Sequence, residues 1–153
     1  MMFTSQPLSK EKALAKLAAL CAKAEYCIGD MEDKMRLWGL SGDDIKENIA
    51  YLIDNKYIDN ARYCKAFIND KIAYNHWGRR KIEQALWVKR VPESVFGPIL
   101  DAVPEEEYIK VLKPLLMSKS ATVKADSDYE RKMKLMKFAL GRGFSVDEIQ
   151  QCL

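Results

Sequence analysis

Slid along itself by 51 residues, the chain lays one apolar pattern on another. Met31 falls on Ile82, Met35 on Leu86, Leu40 on Val91, Ile45 on Phe96, Ile49 on Leu100 and Leu52 on Val103. A further slide of 53 residues puts Val91 on Phe144 and Leu100 on Leu153, and across both slides Gly39 corresponds to Gly143. What recurs is an apolar helical stripe, a turn, a cap position and a second stripe. A unit of about 50 residues built this way leaves apolar faces that its neighbours must cover, as in helical repeat proteins.

The spacing inside each copy is helical. Leu14, Leu17, Ala18 and Cys21 recur at three- and four-residue intervals after Ser9, which can cap a first turn. Met31, Met35 and Leu37 follow, ended by Gly39, a residue suited to a left-handed cap. Ser41 with Asp44 has the form of a capping box and opens the stripe Ile45, Ile49, Leu52. Tyr63, Phe67 and Tyr74, then Ile82 and Leu86, then Phe96 and Leu100 mark three more helices, with Pro92 where the last can begin. Pro104 begins another, bearing Ile109, Leu112 and Leu116. Pro114 should kink or break it, and residues 118–128 read as a mobile connection. Ser145 and Glu148 form a full capping box ahead of Ile149 and Leu153. Period-two alternation is nearly absent, so no sheet is expected. The expected fold is all-α: three tandem three-helix repeats, over residues 1–58, 59–103 and 104–153, in an elongated, curved array.

Charge is unevenly placed. The net charge is +3, yet residues 62–90 hold eight basic and two acidic side chains, against eight and ten in 1–61 and nine and ten in 91–153. A basic middle attracts phosphates or an acidic protein surface, more weakly as salt rises. A merely solvated Lys/Arg-rich face is the plainer alternative. The candidate contacts are Lys65, Lys71, Arg79, Arg80, Lys81, Lys89 and Arg90, with Arg suited to bidentate anion contacts and Lys to point charge. Tyr74, Trp77 and Trp87 interleave with them. Trp77 either stacks on a base or protein partner or packs between helices, whereas Trp87, beside the core position Leu86, is expected to pack. Arg79, Arg80 and Lys81 stand at a helix start, where positive side chains oppose the helix dipole. That local conflict hints at function.

Other classes fit poorly. There is no G-x-x-x-x-G-K-[ST] phosphate loop, and Gly141-Arg142-Gly143 suits a helix end better than a nucleotide motif. Cys21, Cys27, Cys64 and Cys152 form no C-x-x-C pair, and one His, His76, cannot complete an ordinary zinc site with them, so buried reduced thiols are expected. Glu105-Glu106-Glu107 suits a helix's first turn. No catalytic, metal or cofactor residue is expected. No apolar run approaches the ~20 residues of a bilayer span, and MMFTSQPLSKEK lacks the pattern of a secretory signal, so a cytoplasmic protein is expected.

The run Tyr57-Ile58-Asp59-Asn60-Ala61-Arg62-Tyr63, with Phe67-Ile68, then Gly78-Arg79-Arg80-Lys81-Ile82 and Leu86, resembles the middle repeat of the RecX family of bacterial recombination regulators. Arg142-Gly143-Phe144-Ser145 with Ile149 and Leu153 resembles the end of its third repeat. The departures are Asn60 where the family usually has Asp, Arg79 where Pro is frequent, and Ile28-Gly29 in the first repeat. The resemblance implies a non-enzymatic monomer, without a cofactor, that lies along the RecA filament on single-stranded DNA, with weak direct DNA binding of its own. It also implies a lowering of RecA ATPase, strand exchange and coprotease activity. Two rivals stay open: a helix-turn-helix regulator reading duplex DNA, and a protein-only helical adaptor. The first is disfavoured by Asp43, Asp44 and Glu47, or Asp147 and Glu148, on the second helices, where they would repel phosphates.

Overall fold

The computed structural model describes residues 6–153; the first five residues, part of the opening stretch read above for a leader, lie outside the described region. The described residues form helices α1 (Lys10–Cys21), α2 (Ile28–Leu37), α3 (Gly42–Asp54), α4 (Asn60–Ala73), α5 (Arg79–Val88), α6 (Glu93–Asp101), α7 (Glu105–Thr122), α8 (Asp128–Gly141) and α9 (Val146–Cys152), with no strand among them. None of these helices is long and apolar enough to cross a membrane.

Side-chain oxygens start most of them. Ser9, Ser41, Asp59 and Ser127 accept from the backbone N–H of Lys12, Asp44, Arg62 and Glu130 at 3.0–3.2 Å. The Ser145–Glu148 box is complete: the Glu148 N–H donates to Ser145 Oγ at 3.1 Å and the Ser145 N–H to Glu148 Oε1 at 2.8 Å. Such caps satisfy N–H groups that a helix cannot bond internally.

One kind of turn links α2 to α3, α5 to α6 and α8 to α9. The N–H of Leu40, Val91 and Phe144 reaches back to the carbonyl of Met35, Leu86 and Ala139 at 3.1, 3.1 and 3.2 Å. This bond closes a helix on a left-handed residue. That residue is Gly39 (φ 85°), Arg90 (φ 60°) and Gly143 (φ 96°) in turn. An arginine holds the middle slot because φ 60° lies inside the small left-handed region that L-residues tolerate, whereas φ 96° lies outside it.

The apolar stripes fill two cores. Leu17, Met31, Met35, Ile45, Leu52 and Ile58 gather within and just after α1–α3. A larger cluster runs through α4–α9, including Ile68, Ile82, Leu86, Leu100, Leu112, Leu135, Phe144 and Ile149, and takes in Cys27 from the start of α2. Burying each such aliphatic side chain contributes about 1.5–3 kcal/mol. Burial pushes the Cys27 and Cys64 thiols up to about 11, so both are protonated at neutral pH.

The three turns also form the junctions. The carbonyl before each left-handed residue (Trp38, Lys89, Arg142) accepts a donor from an earlier stretch of chain. The donors are the Leu8 N–H at 3.1 Å, the Cys27 thiol at 3.8 Å and the Gly78 N–H at 2.8 Å. Arg80 N–H adds a second bond, to the Gly143 carbonyl at 3.1 Å. The α5 N-terminus, which has no side-chain cap, is therefore capped by the α8–α9 turn.

Three expectations are corrected. α7 runs unbroken through Pro114, because that residue is exposed and the Lys110 carbonyl it leaves unbonded lies on the solvent-facing stripe. The same helix continues to Thr122, so only residues 123–127 connect it to α8. Arg131 bonds the Ser120 and Val123 carbonyls across that connection, at 2.7 and 3.2 Å. Tyr74 is not part of the α4 stripe; it caps the helix C-terminus and is 79% exposed.

Candidate functional site

The sequence-derived cations do not share one environment. Lys89 and Arg90 face α2. Lys89 Nζ lies 2.8 Å from Asp30, while Arg90 donates to the Gly29 carbonyl at 3.1 Å and pairs with Asp33 at 3.0 Å and Glu32 at 3.5 Å. Both therefore join the first helix triplet to the second, and neither is free for a partner in this arrangement. Arg79 is likewise occupied, bridging Glu83 at 2.6 Å and Asp101 at 2.7 Å. This explains how a helix can start on three cations: the first is neutralised one turn along.

Burial alone would raise the Asp30 carboxyl. The Lys89 ammonium and the Cys27 thiol and amide outweigh it and hold Asp30 below the usual carboxylate range. A lowered folded value gives stability that is full above the unfolded pKa and lost as pH falls through the folded one, so this junction weakens in acid. Lys89→Met should move Asp30 upward, because burial then meets one fewer opponent. A carboxyl chemical-shift titration reads that movement, and an unmoved Asp30 would show the pair to be unimportant.

The remaining cations are available. Lys65 and Arg80 are exposed and, among the described residues, in no ion pair. Lys71 comes from the end of α4 and Lys81 from the first turn of α5, and they converge on Trp77 between them. Each ammonium lies 4.9 Å from the indole ring centroid, and Lys71 is also 5.2 Å from that of Phe67. Trp77 is half-buried against the large core. Lys65 stands six residues before Lys71, which places it about a third of a turn away around α4.

Trp87 is a correction: it is 71% exposed, beside Val88 at 75%. Ile82 and Leu86 take the inward face of α5, and one residue further the helix has turned about 100° toward solvent.

Sequence reasoning missed a second aromatic ring flanked by cations. In the third helix triplet, Phe138 has the Lys119 ammonium 5.0 Å and the Arg142 guanidinium 5.1 Å from its centroid. Arg142 also donates to the Asn75 carbonyl at 3.2 Å, two residues before Trp77. The charge sum of residues 91–153 is negative and hides these two cations, and in sequence Arg142 reads only as part of a helix end.

Comparison with known proteins gives a consistent picture. The family model for the second three-helix domain of RecX matches residues 59–95, and that for its third three-helix domain matches residues 105–153, together more than half of the chain. The chain is 28% identical to the regulatory protein RecX of Vibrio parahaemolyticus over 145 residues, covering 95% of this chain and 89% of that protein. It is 26% identical to the regulatory protein RecX of Chlorobium limicola, again covering 95% and 89%. In fold it is similar to the crystal structure of RecX from Lactobacillus salivarius, with a TM-score of 0.84 and 20% identity over 94% of this chain and 93% of that one. A second crystal structure, of a regulatory protein RecX, gives a TM-score of 0.86 at 17% identity over 94% and 72%.

Proposed function

Since the chain belongs to the RecX family, we propose that it regulates a RecA recombinase by binding the filament that RecA forms on single-stranded DNA. In this reading it acts as a cytoplasmic monomer without catalysis of its own. It lowers the filament's ATP hydrolysis, strand exchange and coprotease activity. The three stretches 1–58, 59–103 and 104–153 serve as successive units of the bound surface.

The observation that carries the reading is the excess of cations in residues 62–90, of which Lys65, Lys71, Arg80 and Lys81 have no carboxylate partner among the described residues. A nucleoprotein filament presents both phosphates and acidic protein surface, and either attracts such a patch. Trp77, Arg79, Lys89 and Arg90 support the patch rather than lead it, since each is engaged inside the molecule.

Adding the protein to RecA on single-stranded DNA should lower ATP hydrolysis several-fold at or below one protein per recombinase subunit. Unchanged hydrolysis at saturating protein in low salt would sink the proposal. Suppression by protein that binds only naked duplex would favour the helix-turn-helix alternative.

A further inference from the structure

We propose that Lys71, Lys81, Arg142 and Lys119 form one phosphate track running from the second helix triplet into the third, which binds the backbone of a single nucleic-acid strand. In this track Trp77 and Phe138 are positioning residues that each hold a pair of cations. The proposal rests on the filament reading only for where such a strand would be met; the track itself needs no recombinase.

The contacts are continuous. Lys71 and Lys81 share Trp77, Arg142 bonds the Asn75 carbonyl beside it, and Arg142 and Lys119 share Phe138. The Gly78 N–H bond to the Arg142 carbonyl ties the two halves through the backbone. All four cations are half-buried, so their motion is restricted. Some cations elsewhere are held by carboxylates: Arg62 by Glu25, Lys89 by Asp30, Lys134 by Glu130. Among the described residues these four have no such pair; Lys16 over Trp38 and Lys34 over Tyr26 also meet rings, but only Trp77 and Phe138 among the described residues carry two cations each.

Two like charges on one ring repel each other, and the ring quadrupole attracts each without neutralising it. The arrangement keeps full positive charge in a fixed place, and an incoming anion relieves the repulsion. A strand's phosphates fit a row of such charges better than one carboxylate does. The rings are poor platforms for bases, because both pack against the core and carry cations over them. Binding should therefore depend on phosphate and salt, with little dependence on base.

The test is fluorescence anisotropy of the full chain with a labelled single-stranded thymidine oligonucleotide, an abasic phosphodeoxyribose oligomer of equal length, and polyglutamate. Both phosphate polymers should bind alike at low salt. The slope of log K against log salt should lie near −2 to −3, from about 0.7 per phosphate neutralised. Replacing Lys71, Lys81, Lys119 and Arg142 together by Met should weaken binding at least tenfold at low salt and flatten that slope, with far-UV circular dichroism unchanged. Trp77→Leu should weaken binding with all charges kept, and Trp77→Phe should restore it. Loss of binding to the abasic oligomer alone would overturn the positioning role in favour of stacking. Preference for polyglutamate, no binding at low salt, or full binding by the folded four-fold variant would overturn the track. If thymidine binding holds while recombinase hydrolysis is unaffected, the track stands and the regulatory reading falls; the reverse pair of results removes the track alone.

Discussion

Gly143→Val should destabilise the protein by about 4 kcal/mol, the sum of left-handed strain on a β-branched residue and overpacking at a rigid contact. The residue sits at φ 96°, and a Cβ there would meet the Lys81 backbone nitrogen at 2.5 Å and the Gly78 carbonyl oxygen at 2.9 Å. Both atoms belong to the backbone of the α5 start, which cannot swing aside as a side chain can. The substitution should also break the Gly78–Arg142 and Arg80–Gly143 hydrogen bonds that cap α5. Gly39→Val is the control. It occupies the same turn at φ 85°, but the three atoms nearest its Cβ would all be Pro7's, at 3.0 Å or beyond, so the cost should fall to about 1–3 kcal/mol. Urea denaturation of the two variants measures the difference. Equal losses would mean that the turn's own strain, and not the junction, sets the cost.

The second large effect concerns the two cores. Leu52→Ala and Leu86→Ala each remove a fully buried leucine and should each cost about 3–5 kcal/mol. They should act in different places. Leu52 lies in the α1–α3 cluster and Leu86 in the cluster through α4–α9, with Cys27 the one described residue before α4 that enters the larger core. The rest of the link is polar: Lys89–Asp30, Arg90 with Asp33 and Glu32, and Arg62–Glu25, mostly half-exposed pairs that contribute about 0–1 kcal/mol each. Native-state hydrogen exchange should show Leu52→Ala releasing α1–α3 amides while those of α4–α9 keep their protection. Leu86→Ala should release α4–α9. Uniform loss of protection in both variants would show that the junction couples the cores as strongly as apolar packing would.

Much of the fold was readable before any coordinates. The caps at Ser9, Ser41 and Ser145, the left-handed turns at Gly39 and Gly143, and the stripes through Leu17, Leu52, Ile82 and Leu112 all follow local rules whose partners lie within a few residues. The errors fell where a local rule met a non-local setting. Pro114 is tolerated because it faces solvent, and α7 outlasts its expected end because Arg131, on the next helix, bonds its last turn. Trp87 looked like a core residue by proximity to Leu86, but only one face of α5 is covered.

The candidate site divides the same way. Residue type and clustering pointed to the basic middle and to Lys71, Trp77 and Lys81, which the fold does bring together. They could not separate those from Lys89 and Arg90, whose carboxylate partners stand 57 to 59 positions earlier in the chain. Nor could a charge sum reveal Lys119 and Arg142 in a segment that is negative overall. Sequence alone determined the helices, their repeat and the supply of positive charge, because those depend on spacing along one chain. Tertiary structure decided which charges are spent on internal pairs and which stay open, because an ion pair depends on distance in space, and only the packing of the helices sets that distance.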